Sequence, residues 1–127
     1  MLKQDNYYKR IRSTELDQID LSQVDNVLDV GCGSGNAAQF LKSKKNIHYV
    51  GVEQYHKTQS NDVDEIYRTD IRDYLRDNKQ KFDAIICLDV LEHIWDYQDV
   101  LDQLYSRLTP GGQMLISVPN SSNFRVF

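Results

Sequence analysis

Three glycines at alternate positions, Gly31, Gly33 and Gly35, follow the apolar run Val27-Leu28-Asp29-Val30 and precede residues of helical character that open at about Asn36. A strand running through glycines into a helix lets the backbone turn sharply, lets a ligand approach the main chain, and offers it the free N–H groups of a helix start. An adenosine-bearing cofactor suits that geometry. A nicotinamide fingerprint needs a glycine at position 36, where Asn36 stands, so that reading is disfavoured. No Lys-Ser/Thr pair follows the glycines either, so a phosphate-cradling loop lacks its cation and its metal-binding hydroxyl. Asp29, just ahead of the loop, would repel a close pyrophosphate but can pair with the cationic end of an amino-acid cofactor.

Further acids follow at strand ends. Glu53 lies 18 residues after Gly35 and closes the second strand segment, where a carboxylate can grip the two hydroxyls of a ribose. Asp70 follows a third segment and faces the adenine amino group on the same scheme. Acids on loops are commonly no more than solvated, and it is their placement at successive strand ends that favours binding. Asp89, Glu92 and His93 share one face if a helix begins at Asp89. They read either as a capping box, Asp89 accepting from the N–H of residue 92 while Glu92 reaches back, or as a site where His93 removes a proton from an acceptor hydroxyl. Cys32 and Cys87 read as small buried side chains, with no C-x-x-C pair and no disulfide framework, and Cys32 is given no redox or nucleophilic role.

The elements that position these residues show in the hydrophobic pattern. Asn26–Val30, Phe82–Leu88 and Gln113–Val118 are short, β-branched and nearly unalternated, as suits central parallel strands covered on both faces. His48–Val52 is a weaker strand and Glu65-Ile66-Tyr67 a third-strand guess that depends on its neighbours. Tyr97, Leu101, Leu104 and Leu108 form one helical stripe that Pro110-Gly111-Gly112 stops. Ala37, Ala38 and Leu41 give a shorter face after the glycine loop. Tyr8, Ile11, Glu15 and Ile19 suggest a leading helix within residues 1–23, ahead of a core at 24–120, while 54–64 reads as a polar helix or loop. Alternating strands and helices predict an α/β fold, a doubly wound Rossmann-like parallel sheet with right-handed crossovers and helices on both faces.

The chain's 127 residues, 40% hydrophobic, bury one core and predict one domain over 1–127. A net charge of -4 argues against broad electrostatic binding to nucleic acid or anionic lipid. No membrane span and no secretory signal is visible in the sequence, which makes the cytoplasm the default location.

Val27–Gly35, Phe82–Ile94 and Leu108–Asn120, with Glu53 and Asp70, resemble the motifs of class I S-adenosylmethionine-dependent methyltransferases over about residues 24–120. Tyr7-Tyr8, Arg12 and the Leu-Glu-His after the fourth strand resemble small-molecule enzymes of the ubiquinone-biosynthesis and surface-polysaccharide type. The resemblance implies S-adenosylmethionine as cofactor and a small-molecule acceptor methylated at oxygen or nitrogen. It implies that Gly31, Gly33 and Gly35, with Cys32 between them, face the methionine and ribose, and that Asp29 orders the loop and the amino group. Glu53 would take the ribose hydroxyls, Asp70 and the backbone of Ile71 the adenine, and Leu88 and Asp89 would lie under the sulfonium. It adds a third reading of Asp89, Glu92 and His93, as ligands of a hard metal that orients the acceptor. Trp95, Tyr97, Tyr7 and Tyr8 would wall the acceptor pocket or fill the core. The segment Leu88-Asp89-Val90 lacks the Pro-Pro-Tyr type sequence of base-directed enzymes. Class I members add an antiparallel hairpin after the fifth strand, which the sequence gives no sign of. The chain is therefore expected to be a fragment of a longer protein, or else a compact variant whose sheet edge pairs in a homodimer. A cofactor-binding module without turnover is the alternative function.

Overall fold

The computed structural model describes residues 13–117 and the backbone of 124–126. The expectations for Tyr7, Tyr8, Ile11, Arg12 and Val118 lie outside the described residues. Six strands, β1 (Asn26–Val30), β2 (His48–Val52), β3 (Glu65–Tyr67), β4 (Phe82–Leu88), β5 (Leu108–Ser117) and β6 (Phe124–Val126), form one sheet in the order β3-β2-β1-β4-β5-β6. The first five are parallel. Helices α1 (Asn36–Lys42), α2 (Ile71–Asp77) and α3 (Tyr97–Tyr105) connect them.

Period-two alternation divides the apolar runs between two cores. Leu28, Val30, Val50 and Ile85 pack on one face with α2 and α3, while Val27, Tyr49, Ala84 and Ile86 pack on the other with Ala38 and Leu41 of α1. Strands covered on both faces carry no polar alternation, which is why these runs read as continuous. Leu16 and Ile19 join the α1 face; of the expected leading helix the described residues show 13–16 as helical, while Ile19 lies beyond its end and Leu21–Gln23 form a 3₁₀ turn.

The connection after β1 leads back to β2 on one side, whereas β4 lies on the other side of β1. The strand order thus reverses between β1 and β4, and a crevice opens beyond their carboxyl ends. That crevice positions everything discussed below.

Four expectations are amended. β5 begins at Leu108 rather than Gln113, with Phe82 paired to Leu108 and Ala84 to Gln113, so that 109–112 bulge out opposite Asp83. Pro110-Gly111-Gly112 therefore sits in a strand irregularity, pinned where Thr109 Oγ1 donates to Asp83 at 2.8 Å. The face of α3 that is buried is Val100 and Leu104, with Tyr97 half exposed and Leu108 already in β5. The helix starts only after Asp96, a left-handed residue at φ 55°, and Leu101 of the expected stripe packs partly buried beside Val100 and Leu104. Lastly, β6 pairs antiparallel with β5, Leu115 opposite Val126 and Ser117 opposite Phe124, giving one antiparallel strand that the sequence pattern did not announce.

Leu28 is fully buried at the centre of the sheet. Leu28→Ala is expected to cost about 2–5 kcal/mol through lost burial and a residual cavity. Urea denaturation checks this: the midpoint should fall with an unchanged slope, and an unchanged midpoint would contradict the core assignment.

Candidate functional site

The glycine loop closes on itself by contacts that no side chain could share. Gly31, at φ +73°, donates its N–H to the Val52 carbonyl at 2.7 Å. A Cβ there would lie 2.8 Å from Val90 Cγ2, so the missing side chain lets the segment after β4 press against the end of β1. Gly33, at φ +56°, differs in that nothing lies within 4 Å of its would-be Cβ. Its left-handed turn therefore faces open space. Gly35 is the N-cap residue of α1, which begins at Asn36 as the pattern predicts.

Residues 54–62, read from sequence only as a polar stretch, form a strap over this loop. Thr58 Oγ1 donates to the Gly33 carbonyl at 2.8 Å, and the N–H groups of Gln59 and Ser60 donate to the Ser34 carbonyl at 3.3 and 3.1 Å. Small hydroxyl residues in a run without apolar periodicity were the available signal. Cys32 is buried beside the strap, its sulfur filling the space Gly51 leaves. Burial, only partly offset by the Thr58 hydrogen bond, pushes the thiol up to about 11, so it stays protonated and is not a nucleophile at neutral pH.

Glu53 joins the two loops. Its Oε1 accepts from the Gly33 N–H at 2.6 Å, and its Oε2 accepts from the N–H groups of Tyr55 at 3.0 Å and His56 at 3.1 Å. Burial alone would raise this carboxyl, but the donors of Tyr55, Gly33 and His56, with the nearby imidazole of His56, outweigh it and hold its pKa below the usual carboxylate range.

Asp29 is 3% exposed and accepts from the Tyr49 hydroxyl at 2.6 Å. Burial, then the charge of Asp29, drive the Tyr49 phenol well above its ordinary pKa, so it remains a donor. Sequence reasoning passed over Tyr49. The signal was a tyrosine inside an apolar strand, whose hydroxyl must find a partner when buried.

Two clefts meet at Gly31. The larger, about 800 Å³, is lined by Asp29, Gly31, Cys32, Gly33 and Leu88 together with Ala37 and Phe40 of α1. The smaller, about 360 Å³, is lined by Gly31, Glu53, Asp70, Ile71, Val90 and His93. The acids predicted at strand ends thus fall on either side of one glycine, Asp29 in the first cleft, Glu53 and Asp70 in the second. Asp29 brings a carboxylate to the larger cleft, a group that can pair with a cation. Asp70 is also the N-cap of α2, accepting from the Asp73 N–H at 2.9 Å. Ile71, as the first residue of α2, has an N–H with no intrahelical partner.

The segment after β4 departs from expectation. Asp89 has a left-handed φ of 55°, and no α-helix opens there: a 3₁₀ turn over Leu91–His93 follows with Val90 as N-cap and no side-chain cap bond. The capping box is therefore not formed and the helical face shared by Asp89, Glu92 and His93 does not exist. Asp89 instead receives the Ser117 hydroxyl at 3.1 Å, and its N–H donates to the Ser117 carbonyl at 3.1 Å, tying β4 to β5. It lines neither cleft, although Leu88 before it and Val90 after it line one each. His93 stands on the smaller cleft with its ring 3.3 Å from the Glu92 carboxylate. Among the described residues, no group of three or more His, Cys, Asp or Glu is arranged to hold a metal ion. Trp95 and Tyr97 are exposed, so the core-filling reading of these two is set aside.

A doubly wound sheet with a glycine loop at the strand-order reversal and carboxylates at neighbouring strand ends defines a nucleoside-cofactor domain. The chain belongs to the methyltransferase domain family, whose pattern matches residues 3–125. It is 32% identical over 104 residues to a ubiquinone biosynthesis O-methyltransferase of Pseudomonas entomophila, covering 74% of this chain and 44% of that protein. A protein of the same name from Vibrio atlanticus is 28% identical over 109 residues, covering 80% and 46%. The chain thus spans under half the length of these curated relatives. Among solved structures, SAM-bound CalS10, an amino pentose methyltransferase from Micromonospora echinaspora, superposes with a TM-score of 0.71 at 20% identity, covering 93% of this chain and 56% of that one. The plantazolicin methyltransferase BpumL in complex with SAH gives 0.68 at 16% identity, covering 86% and 45%. These likenesses show the fold. No helix among the described residues is long and apolar enough to cross a membrane.

Because the folded Glu53 has a lower pKa than its unfolded value, its stabilisation is complete above the unfolded value of 4.5 and is lost as pH falls through the folded one. Stability measured by denaturation should therefore decline on acidification below about pH 4.5, and Glu53→Gln should remove part of that slope while lowering stability at pH 7. An unaltered pH slope in the variant would contradict the three-donor arrangement.

Proposed function

We propose that the chain is the cofactor-binding part of an S-adenosylmethionine-dependent methyltransferase that moves a methyl group to an oxygen or nitrogen of a small molecule. The observation that carries this is the junction of the two clefts at Gly31, with a buried carboxylate in the larger and two strand-end acids in the smaller. S-adenosylmethionine, when bound, supplies a methyl carbon already activated by a positive sulfur. Asp29 would hold the amino-acid end, Gly31, Cys32, Gly33 and Gly35 the backbone approach, Glu53 the ribose, and Asp70 with the Ile71 N–H the adenine. Leu88 would lie under the sulfonium. Asp89 would act from behind it, through Ser117 and the turn it makes, rather than by contact. Glu53 Oε1 carries one protein donor and keeps a second acceptor site, enough for one ribose hydroxyl without dismantling the strap.

In-line transfer asks the protein mainly for position and exclusion of water, and no covalent nucleophile is proposed. His93, exposed on the rim, is the group assigned to take the acceptor's proton. The acceptor is assigned no nucleic-acid character, a homodimer would be one way of covering the sheet edge, and the cytoplasm is the proposed location.

Calorimetry with S-adenosylhomocysteine and a methyl-release assay on the protein test this together. Asp29→Ala should weaken binding at least about tenfold, the scale of one charge-assisted contact, whereas Tyr49→Phe, which removes only the buried hydroxyl, should bind within a few-fold of the parent. His93→Ala should keep binding and lose turnover. Binding without methyl release in the parent would favour the module without turnover, and no binding would overturn the assignment.

A further inference from the structure

Arg72 and Trp95 belong neither to the glycine loop nor to the acids. Arg72 follows Ile71 on α2, and one terminal nitrogen of its guanidinium, Nη2, donates to the carbonyls of Trp95 at 2.5 Å and Asp96 at 3.0 Å. Those carbonyls lie in the segment between β4 and α3, which ends at the left-handed Asp96. Two walls of the smaller cleft come from the start of α2 and from this segment, with the ends of β1 and β2 and Gln54-Tyr55 making the rest, and both Arg72 and Trp95 line it. Arg72 therefore ties one wall to the other. The tie is not needed to satisfy the carbonyls, since the bonds are at the surface, where water would serve. What it adds is a fixed distance between the walls.

The indole of Trp95 is 85% exposed, on a backbone that Arg72 pins. A large flat ring left in water beside a cleft gains by stacking on a flat apolar ligand face. A purine offers such a face, and the acids of the same cleft are placed for its ribose and amino group.

We propose that Arg72 is a positioning residue that sets the width of the smaller cleft and holds Trp95 against the face of a bound purine base. This rests on the reading of the ligand as S-adenosylmethionine. It adds that purine recognition depends on an aromatic contact from the segment after β4, and that a cation which need not touch the ligand keeps that contact in place.

Trp95 is the single tryptophan of the sequence, so fluorescence excited selectively at the indole reports this side chain alone. S-adenosylhomocysteine is titrated by calorimetry into the protein and into Arg72→Ala, Arg72→Lys, Trp95→Ala and the Arg72→Ala/Trp95→Ala double variant, and Trp95 emission is followed in those that keep the indole. The parent should show a saturable change in Trp95 emission. Trp95→Ala and Arg72→Ala should each weaken binding by about tenfold, the size of one base–aromatic stack. The double variant should be no weaker than Trp95→Ala alone, because a positioning residue acts through what it positions. If Arg72→Ala lowers the thermal midpoint, Arg72→Lys carries the test: it keeps the charge but its nitrogen stands one bond nearer the backbone, short of the two carbonyls that Nη2 reaches, and it should lose affinity at an unchanged midpoint. Binding to the parent with unchanged emission, parental affinity in the Arg72 variants, or additive losses in the double variant would each overturn the proposal and leave the cofactor assignment standing. Absence of any binding to the parent would instead overturn the cofactor assignment and this proposal with it.

Discussion

A single buried carboxylate holds the site together. Glu53, at the end of β2, takes three main-chain N–H donors, one from the glycine loop and two from the chain that follows β2. Main-chain donors away from water must be paired, and a carboxylate pairs them more strongly than a neutral acceptor does. The turn at Gly33 is thereby referenced to the end of the neighbouring strand, and the strap at 54–62 closes over it from the other side. A ligand meeting this loop finds its shape already set, so less ordering has to be supplied on binding.

The sheet makes that arrangement possible by its order. Since β1 lies between β2 and β4, the chain leaves β1 toward one neighbour while the segment after β4 comes back against Gly31 from the other. A Cβ at position 31 would meet the Val90 side chain at 2.8 Å, on a residue whose φ of +73° already favours glycine. The cofactor domain thus follows from a packing requirement at one residue combined with an electrostatic one at another. Asp29 belongs to the same logic: it points from β1 to the face opposite Leu28 and Val30, where the protonated Tyr49 hydroxyl shares its charge and the larger cleft opens.

Much of this was legible in the residues. Continuous apolar runs marked β1, β2 and β4 to their observed bounds, because strands buried on both faces have no other composition available. The strand segments they follow placed Glu53 and Asp70 at strand ends, and the structure puts both in one cleft. What was not legible depended on conformation that composition does not encode. Asp89 and Asp96 both adopt left-handed φ, the first where a helical face was expected and a 3₁₀ turn follows, the second at the start of α3. The bulge at 109–112 and the added strand β6 depend on pairing across the sheet, which no local window contains. The strap's role was not legible for a related reason: beyond its small hydroxyls the sequence shows nothing of hydrogen bonds that run to carbonyls more than twenty residues away.

The central claim is that one ligand lies across Gly31, with its amino-acid end toward Asp29 and its ribose on Glu53. A crystal structure of the protein with S-adenosylhomocysteine measures this directly. The account predicts continuous ligand density through both clefts, an amino group within hydrogen-bond reach of Asp29, and a ribose hydroxyl on Glu53 Oε1. Ligand bound away from Gly31, or running along one cleft with Glu53 contacting protein donors alone, would contradict it.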